Sequence, residues 1–97
     1  MESKQAYIHW THPAHQYKKL PIGILYCPHI VRIDDPNQEH WSVCFDITEV
    51  NRENGGIINL TMLIENDTTR AFFDTLTSNT SFILYEAHTE VARGYIL

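Results

Sequence analysis

The segment Ser78 to Leu97, SNTSFILYEAHTEVARGYIL, constrains the architecture more than any other part of the chain. Phe82-Ile83-Leu84-Tyr85 is a run of β formers, and Glu86-Ala87-His88-Thr89 is a short polar connection. A second run, Val91 to Leu97, follows. Two such runs about a short connection predict a β-hairpin, with the last residues of the chain used as a strand.

The rest of the chain supplies strands of the same kind. Gln5 to Trp10 alternates, with Ala6, Ile8 and Trp10 on one face and Tyr7 and His9 on the other. Thr11 to Leu20 is polar and interrupted by Pro13, which predicts a loop. Pro21 to Tyr26 is apolar, and Gly23 within it predicts a bend or bulge. Pro28 lacks a ladder donor and predicts an edge or bulge, after which His29 to Ile33 resumes the strand. Asp34 to Glu39 is a turn cluster. Trp41 to Ile47 puts Trp41, Val43, Phe45 and Ile47 on one face. Asn51 to Gly56 reads as a turn, and Ile57 to Glu65 as the longest strand, with Ile58, Leu60, Met62 and Ile64 together. Thr68 to Leu76 has helical spacing at Phe72, Phe73 and Leu76, with Asp67 or Thr68 as N-cap and a turn or two at most. Short strands joined by Gly, Pro, Asn and Asp turns predict an all-β sandwich or barrel, and closure into a barrel removes exposed edges. At 97 residues, one domain spans 1–97 and can bury one core without disulfide or metal.

The order of features resembles the C-terminal β-barrel, domain 3, of elongation factor Tu and its relatives. Phe82, Glu86, Val91, Gly94 and Ile96 fall in register with that family's terminal motif, and Tyr26 and Pro28 match part of its Gly-Tyr-Arg-Pro stretch. The resemblance covers about Ala6 to Leu97. It implies a small closed six-stranded antiparallel barrel of Greek-key type. This chain departs from the pattern at Cys27, where the family has Arg, and at Ala87, where the family has Gly after the acid. The family's Gly-Gly-Arg segment after the first strand is missing. There is no phosphate-binding G-x-x-x-x-G-K-[ST] loop, so this chain hydrolyses no nucleotide by that route. The expectation is a standalone relative of the barrel with a changed role.

Charge narrows the partner. The formal net charge is −5, and the seven Lys and Arg residues are scattered. Nucleic-acid binding needs clustered cations to displace counterions, so a protein partner is expected instead. The amino-terminal residues carry no apolar h-region and no run approaches a membrane span, so a cytoplasmic, non-membrane location is expected. Cys27 and Cys44 lie in apolar strands and are read as two reduced, buried thiols.

Each reactive constellation has a plain structural reading beside it. His9, His12 and His15 could converge on zinc, but on a continuous strand positions three apart face opposite ways; a loop could gather His12 and His15 with His29 or His40, yet polar loop histidines are expected. Cys27 with His29, or Cys44 with His40, could make a thiol and base, yet no orienting group accompanies them. Asp34, Asp35 and Glu39 lack the spacing of a calcium loop. The expectation is therefore a non-enzymatic module without cofactor or metal. Its partner-binding residues would be Trp10, Tyr17, Lys18 and Lys19 toward the Thr11–Leu20 loop, and Glu86 and His88 at the hairpin tip. Binding to a tRNA-like nucleic acid is the alternative.

Overall fold

A computed structural model describes residues 2–11, 25–46 and 55–97. These form seven strands and one helix: β1 (Lys4–Trp10), β2 (Leu25–Tyr26), β3 (His29–Arg32), β4 (Trp41–Asp46), β5 (Gly55–Met62), α1 (Asp67–Asp74), β6 (Ser81–Glu86) and β7 (Thr89–Ile96). All pairings are antiparallel. Following neighbours, β1 pairs with β5, β5 with β4, β4 with β3, β3 with β6, β6 with β7, and β7 returns to β1. The result is a closed six-stranded barrel plus the short β2, which also lies on β4. β6 lies beside the first of the consecutive strands β3, β4 and β5, which is a Greek key.

β2 and β3 are one strand interrupted by a proline. Leu25 faces Asp46, Tyr26 faces Phe45, His29 faces Ser42 and Ile30 faces Trp41, so the register does not change across the gap. Pro28 therefore sits opposite Val43, whose N–H donates to the Pro28 carbonyl at 3.1 Å. The reciprocal bond needs an N–H that proline lacks. Of the edge or bulge expected at Pro28, the bulge is absent: the register runs through, and the pairing with β6 begins only at His29.

The core follows the alternation. Ala6, Ile8 and Trp10 of β1, Ile58, Leu60 and Met62 of β5, Val43 and Phe45 of β4, Ile30 of β3, and Phe82 and Leu84 of β6 all point inward and are buried. Ile64 does not continue the row, because β5 ends at Met62 and Ile64 is exposed. β7 contributes small residues, Ala92 and Gly94, opposite Leu84 and Phe82 on one side and Trp10 and Ile8 on the other. Large side chains thus converge where β7 has nothing to add, the alternation a narrow barrel interior needs. The register between β6 and β7 shifts at Leu84/Tyr85, leaving Val91 as the extra residue. This bulge explains why Val91 and Ala92, adjacent in sequence, are both buried.

Two glycines stand where strands crowd β1. A Cβ on Gly94 would lie 2.0 Å from the Tyr7 carbonyl oxygen. A Cβ on Gly55 would lie 2.0 Å from the Ile8 carbonyl oxygen, and Gly55 has φ +115°. Gly55 and Gly56 were expected in a turn. They begin β5 instead, and the bare Cα of Gly55 allows its close approach to β1.

The helix has an N-cap one residue before those expected. Asn66 accepts from the Thr69 N–H at 2.9 Å, and Thr69 Oγ1 accepts from the Asn66 N–H at 2.9 Å. This is a capping box with threonine in the place of Glu or Gln. At the other end, Lys4 of β1 donates to the carbonyls of Phe73 and Leu76 at 2.7 and 2.9 Å. A cation from a strand thereby sits at the negative end of the helix dipole, sharing the Phe73 carbonyl with the Leu76 N–H, which donates to it at 3.0 Å. Phe73 and Leu76 enter the core from α1.

Gly94→Ala should destabilise the fold by about 3 kcal/mol or more, because the clash is with backbone. Lys4→Met, which keeps the stem but drops both charged hydrogen bonds, should cost about 2 kcal/mol. Urea denaturation followed by tryptophan fluorescence measures both.

Candidate functional site: the hairpin end of the barrel

β1 ends at Trp10, β2 begins at Leu25, β4 ends at Asp46, β5 begins at Gly55, and β6 and β7 meet at Glu86 and Thr89. The pairs Trp10↔Ala92, His9↔Gly55, Leu25↔Asp46 and Glu86↔Thr89 bring these ends together. One end of the barrel thus holds the hairpin tip and the adjoining ends of the strands that flank the Thr11–Leu20 segment. Tyr17, Lys18 and Lys19, with His12, His15 and Gly23, lie outside the described residues.

The tip itself is a two-residue loop, Ala87-His88, closed by the pair Glu86↔Thr89. Ala87 has φ +53° and His88 does not share the positive φ. A single positive φ at the first central position is the type II′ pattern, where glycine is preferred. Alanine carries a Cβ there and meets the steric penalty of the left-handed region.

Glu86 is not a free carboxylate at the tip. It accepts a hydrogen bond from the Tyr26 hydroxyl, sixty residues away in the chain. Tyr26 is half-buried, tilted against Phe45 at 5.3 Å between centroids and edge-on to Trp10 at 6.1 Å. Burial first, then the bond to Glu86 and its negative charge, push the Tyr26 hydroxyl far above the ordinary tyrosine range. The bond joins β2, which among the described strands pairs with β4 alone, to the hairpin across the barrel mouth. Nearby, Arg93 donates to both carboxylate oxygens of Glu90 at 2.9 and 3.1 Å. The bond from Arg93 is the chief reason the Glu90 carboxyl titrates below its usual range.

The sequence-derived site is thus partly assembled. Glu86 and His88 are exposed at the tip. Trp10 is a correction: it is 3% exposed and belongs to the core cluster, because β1 turns its even-numbered residues inward. It cannot present its ring as part of an exposed patch. Tyr26, which was not among the expected partner-binding residues, is the aromatic residue linked to the tip. The exposed apolar residue beside it is Leu25.

Other constellations resolve differently. Asp34 forms a two-bond ion pair with Arg32, and the Asp35 carboxylate accepts from the N–H groups of Asn37 and Glu39. The acidic turn is stabilised within itself. His29, His40 and Tyr85 cluster on the outer wall, with ring centroids 5.8 and 5.1 Å apart. No three of His, Cys, Asp and Glu converge as a metal site requires among the described residues. The two cysteines depart from expectation: Cys44 is buried, but Cys27 is exposed, and their sulfurs are 2.7 Å apart. Cys27 follows the outward phase of the interrupted strand. Two surface grooves, of about 390 and 490 Å³, lie at the opposite end, beside α1 and beside the chain termini. No helix among the described residues is long and apolar enough to cross a membrane.

Comparison with known proteins finds no matching family model, no matching curated protein and no matching solved structure.

Ala87→Gly should stabilise the protein by about 1 kcal/mol, the penalty of a Cβ in the left-handed region, read by thermal melting. Tyr26→Phe should cost about 2 kcal/mol through the lost bond to a charged acceptor. The folded state holds the Tyr26 proton more tightly than the unfolded chain does. This contribution is therefore complete at neutral pH and fades as pH rises past the ordinary tyrosine value of 10.0. The stability gap between wild type and Tyr26→Phe should shrink in denaturant titrations above that pH.

Proposed function

We propose that this chain is a non-catalytic interaction module that binds a protein partner through the hairpin end of its barrel. The observation that carries the reading is the tip: an exposed Ala87-His88 loop with alanine in a conformation that favours glycine, beside a carboxylate fixed by Tyr26. Strained backbone clusters at binding and catalytic sites, and a tip tied down in advance loses little freedom on binding. Exposed Leu25 adds an apolar contact at the same end. Kinship with the C-terminal barrel of elongation factor Tu belongs to this reading. Its support is that the resemblance implies a closed six-stranded barrel, and that Tyr26 and Glu86, two of the matching positions, bond to each other. A reducing, cytoplasmic setting fits an exposed free thiol at Cys27.

The described cations favour a protein over nucleic acid. Arg32, Arg70 and Arg93 face carboxylates, and Lys4 is engaged with helix carbonyls. Phosphate contacts would have to compete with these partners.

The immobilised chain should capture a protein from an extract of its own cell. A Leu25→Asp/His88→Asp variant with an unchanged circular dichroism spectrum should retain at least about tenfold less, as loss of interface anchors does. Equal capture by that variant, or retention of tRNA at moderate salt in preference to protein, would overturn the proposal.

A further inference from the structure

We infer that Cys27 and Cys44 form an oxidisable dithiol, a modification site at which peroxide converts the pair to an intramolecular disulfide. Three observations carry this independently of the protein-binding reading. The first is register. The pairs on either side, Tyr26↔Phe45 and His29↔Ser42, put Cys27 directly opposite Cys44. The second is the kind of pair. The bond from Val43 to Pro28 makes 28 and 43 the hydrogen-bonded pair, so 27 and 44 occupy the adjoining non-hydrogen-bonded position, where side chains approach most closely. The separation of Cα atoms at such positions, about 4.5 Å, lies within the range that disulfides span. The third is the pair of sulfurs themselves, free thiols in contact at 2.7 Å, one exposed and one buried.

The difference in exposure assigns the roles. Cys27 is open to solvent and meets the oxidant. Its thiolate attacks one peroxide oxygen, the O–O bond breaks, and a sulfenic acid remains on Cys27 while the second oxygen leaves as water after taking a proton. Burial and the neighbouring Cys27 push the Cys44 thiol up to about 12, so it waits protonated. Cys44 then attacks the Cys27 sulfur and gives up its proton. The S–S bond forms, the S–O bond breaks, and the oxygen leaves as a second water. Two thiols supply the two electrons that hydrogen peroxide accepts. The bond would bridge β4 and the interrupted strand beside Pro28, where the ladder lacks a rung.

The test uses the full chain with one to several equivalents of hydrogen peroxide, followed by intact mass and thiol counting. The expected result is loss of two hydrogens from the monomer, both thiols gone, and reversal by dithiothreitol. The oxidised form should melt on the order of 10 °C higher, since the bridge closes a loop of intermediate length. Cys44→Ala should instead accumulate a sulfenic acid on Cys27 that dimedone traps, and Cys27→Ser should leave Cys44 unlabelled by iodoacetamide in the folded state. Retention of both thiols, added oxygen without loss of hydrogens, or disulfides only between chains in the wild-type protein would overturn the proposal. That readout needs no variant to fold.

Discussion

The barrel depends on how closely β7 approaches β1 at Gly94. The Tyr7 carbonyl occupies the place a side chain would take. That approach brings Phe82 and Ile8 toward each other over a residue with no volume of its own, and it lets β7 close the ring between β6 and β1. Gly55 repeats the device on the other flank of β1, against the Ile8 carbonyl. With closure achieved, no long edge remains unpaired among the described strands, which an acidic domain of this size would otherwise have to protect by other means.

Much of the architecture was legible because one face of each strand is buried. Alternation named Ala6, Ile8 and Trp10, Val43 and Phe45, and Ile58, Leu60 and Met62 as inward residues, and the terminal hairpin was readable from its two β-forming runs. Gly55 and Gly56 were misread, since glycine signals a turn and a close strand pairing alike. Trp10 was misread in a different way: aromatic residues serve cores and interfaces equally, and its alternation phase, which placed it with Ala6 and Ile8, was the better guide. The N-cap at Asn66 was missed because threonine replaced the usual acid of the capping box.

The site was less legible than the fold because its contacts are long-range. Tyr26 and Glu86 could each be singled out by motif, but their bond joins strands that meet only once the ring is closed. The cysteine pair lay nearer to view. The Asp34–Glu39 cluster located the reversal between the two strands to within a residue or two. A shift of one position would still have turned the facing residues to opposite sides of the sheet. Only the observed register, with Pro28 opposite Val43, decides that the thiols meet.

Pro28 also divides one strand into two mechanically different parts. β3 is clasped by neighbours on both sides and cannot leave without opening the ring, whereas among the described strands β2 pairs with β4 alone. Among the described contacts, two residues of pairing, the packing of the Tyr26 ring, its bond to Glu86 and the neighbouring Cys27–Cys44 contact help to hold it. A fluctuation that frees β2 would therefore leave the core strands in place, in the manner of a flap hinged at the proline. The amides of Leu25 and Tyr26 would exchange with solvent far sooner than those of Ile30 and Val31, though the four lie within seven positions of one another in the chain.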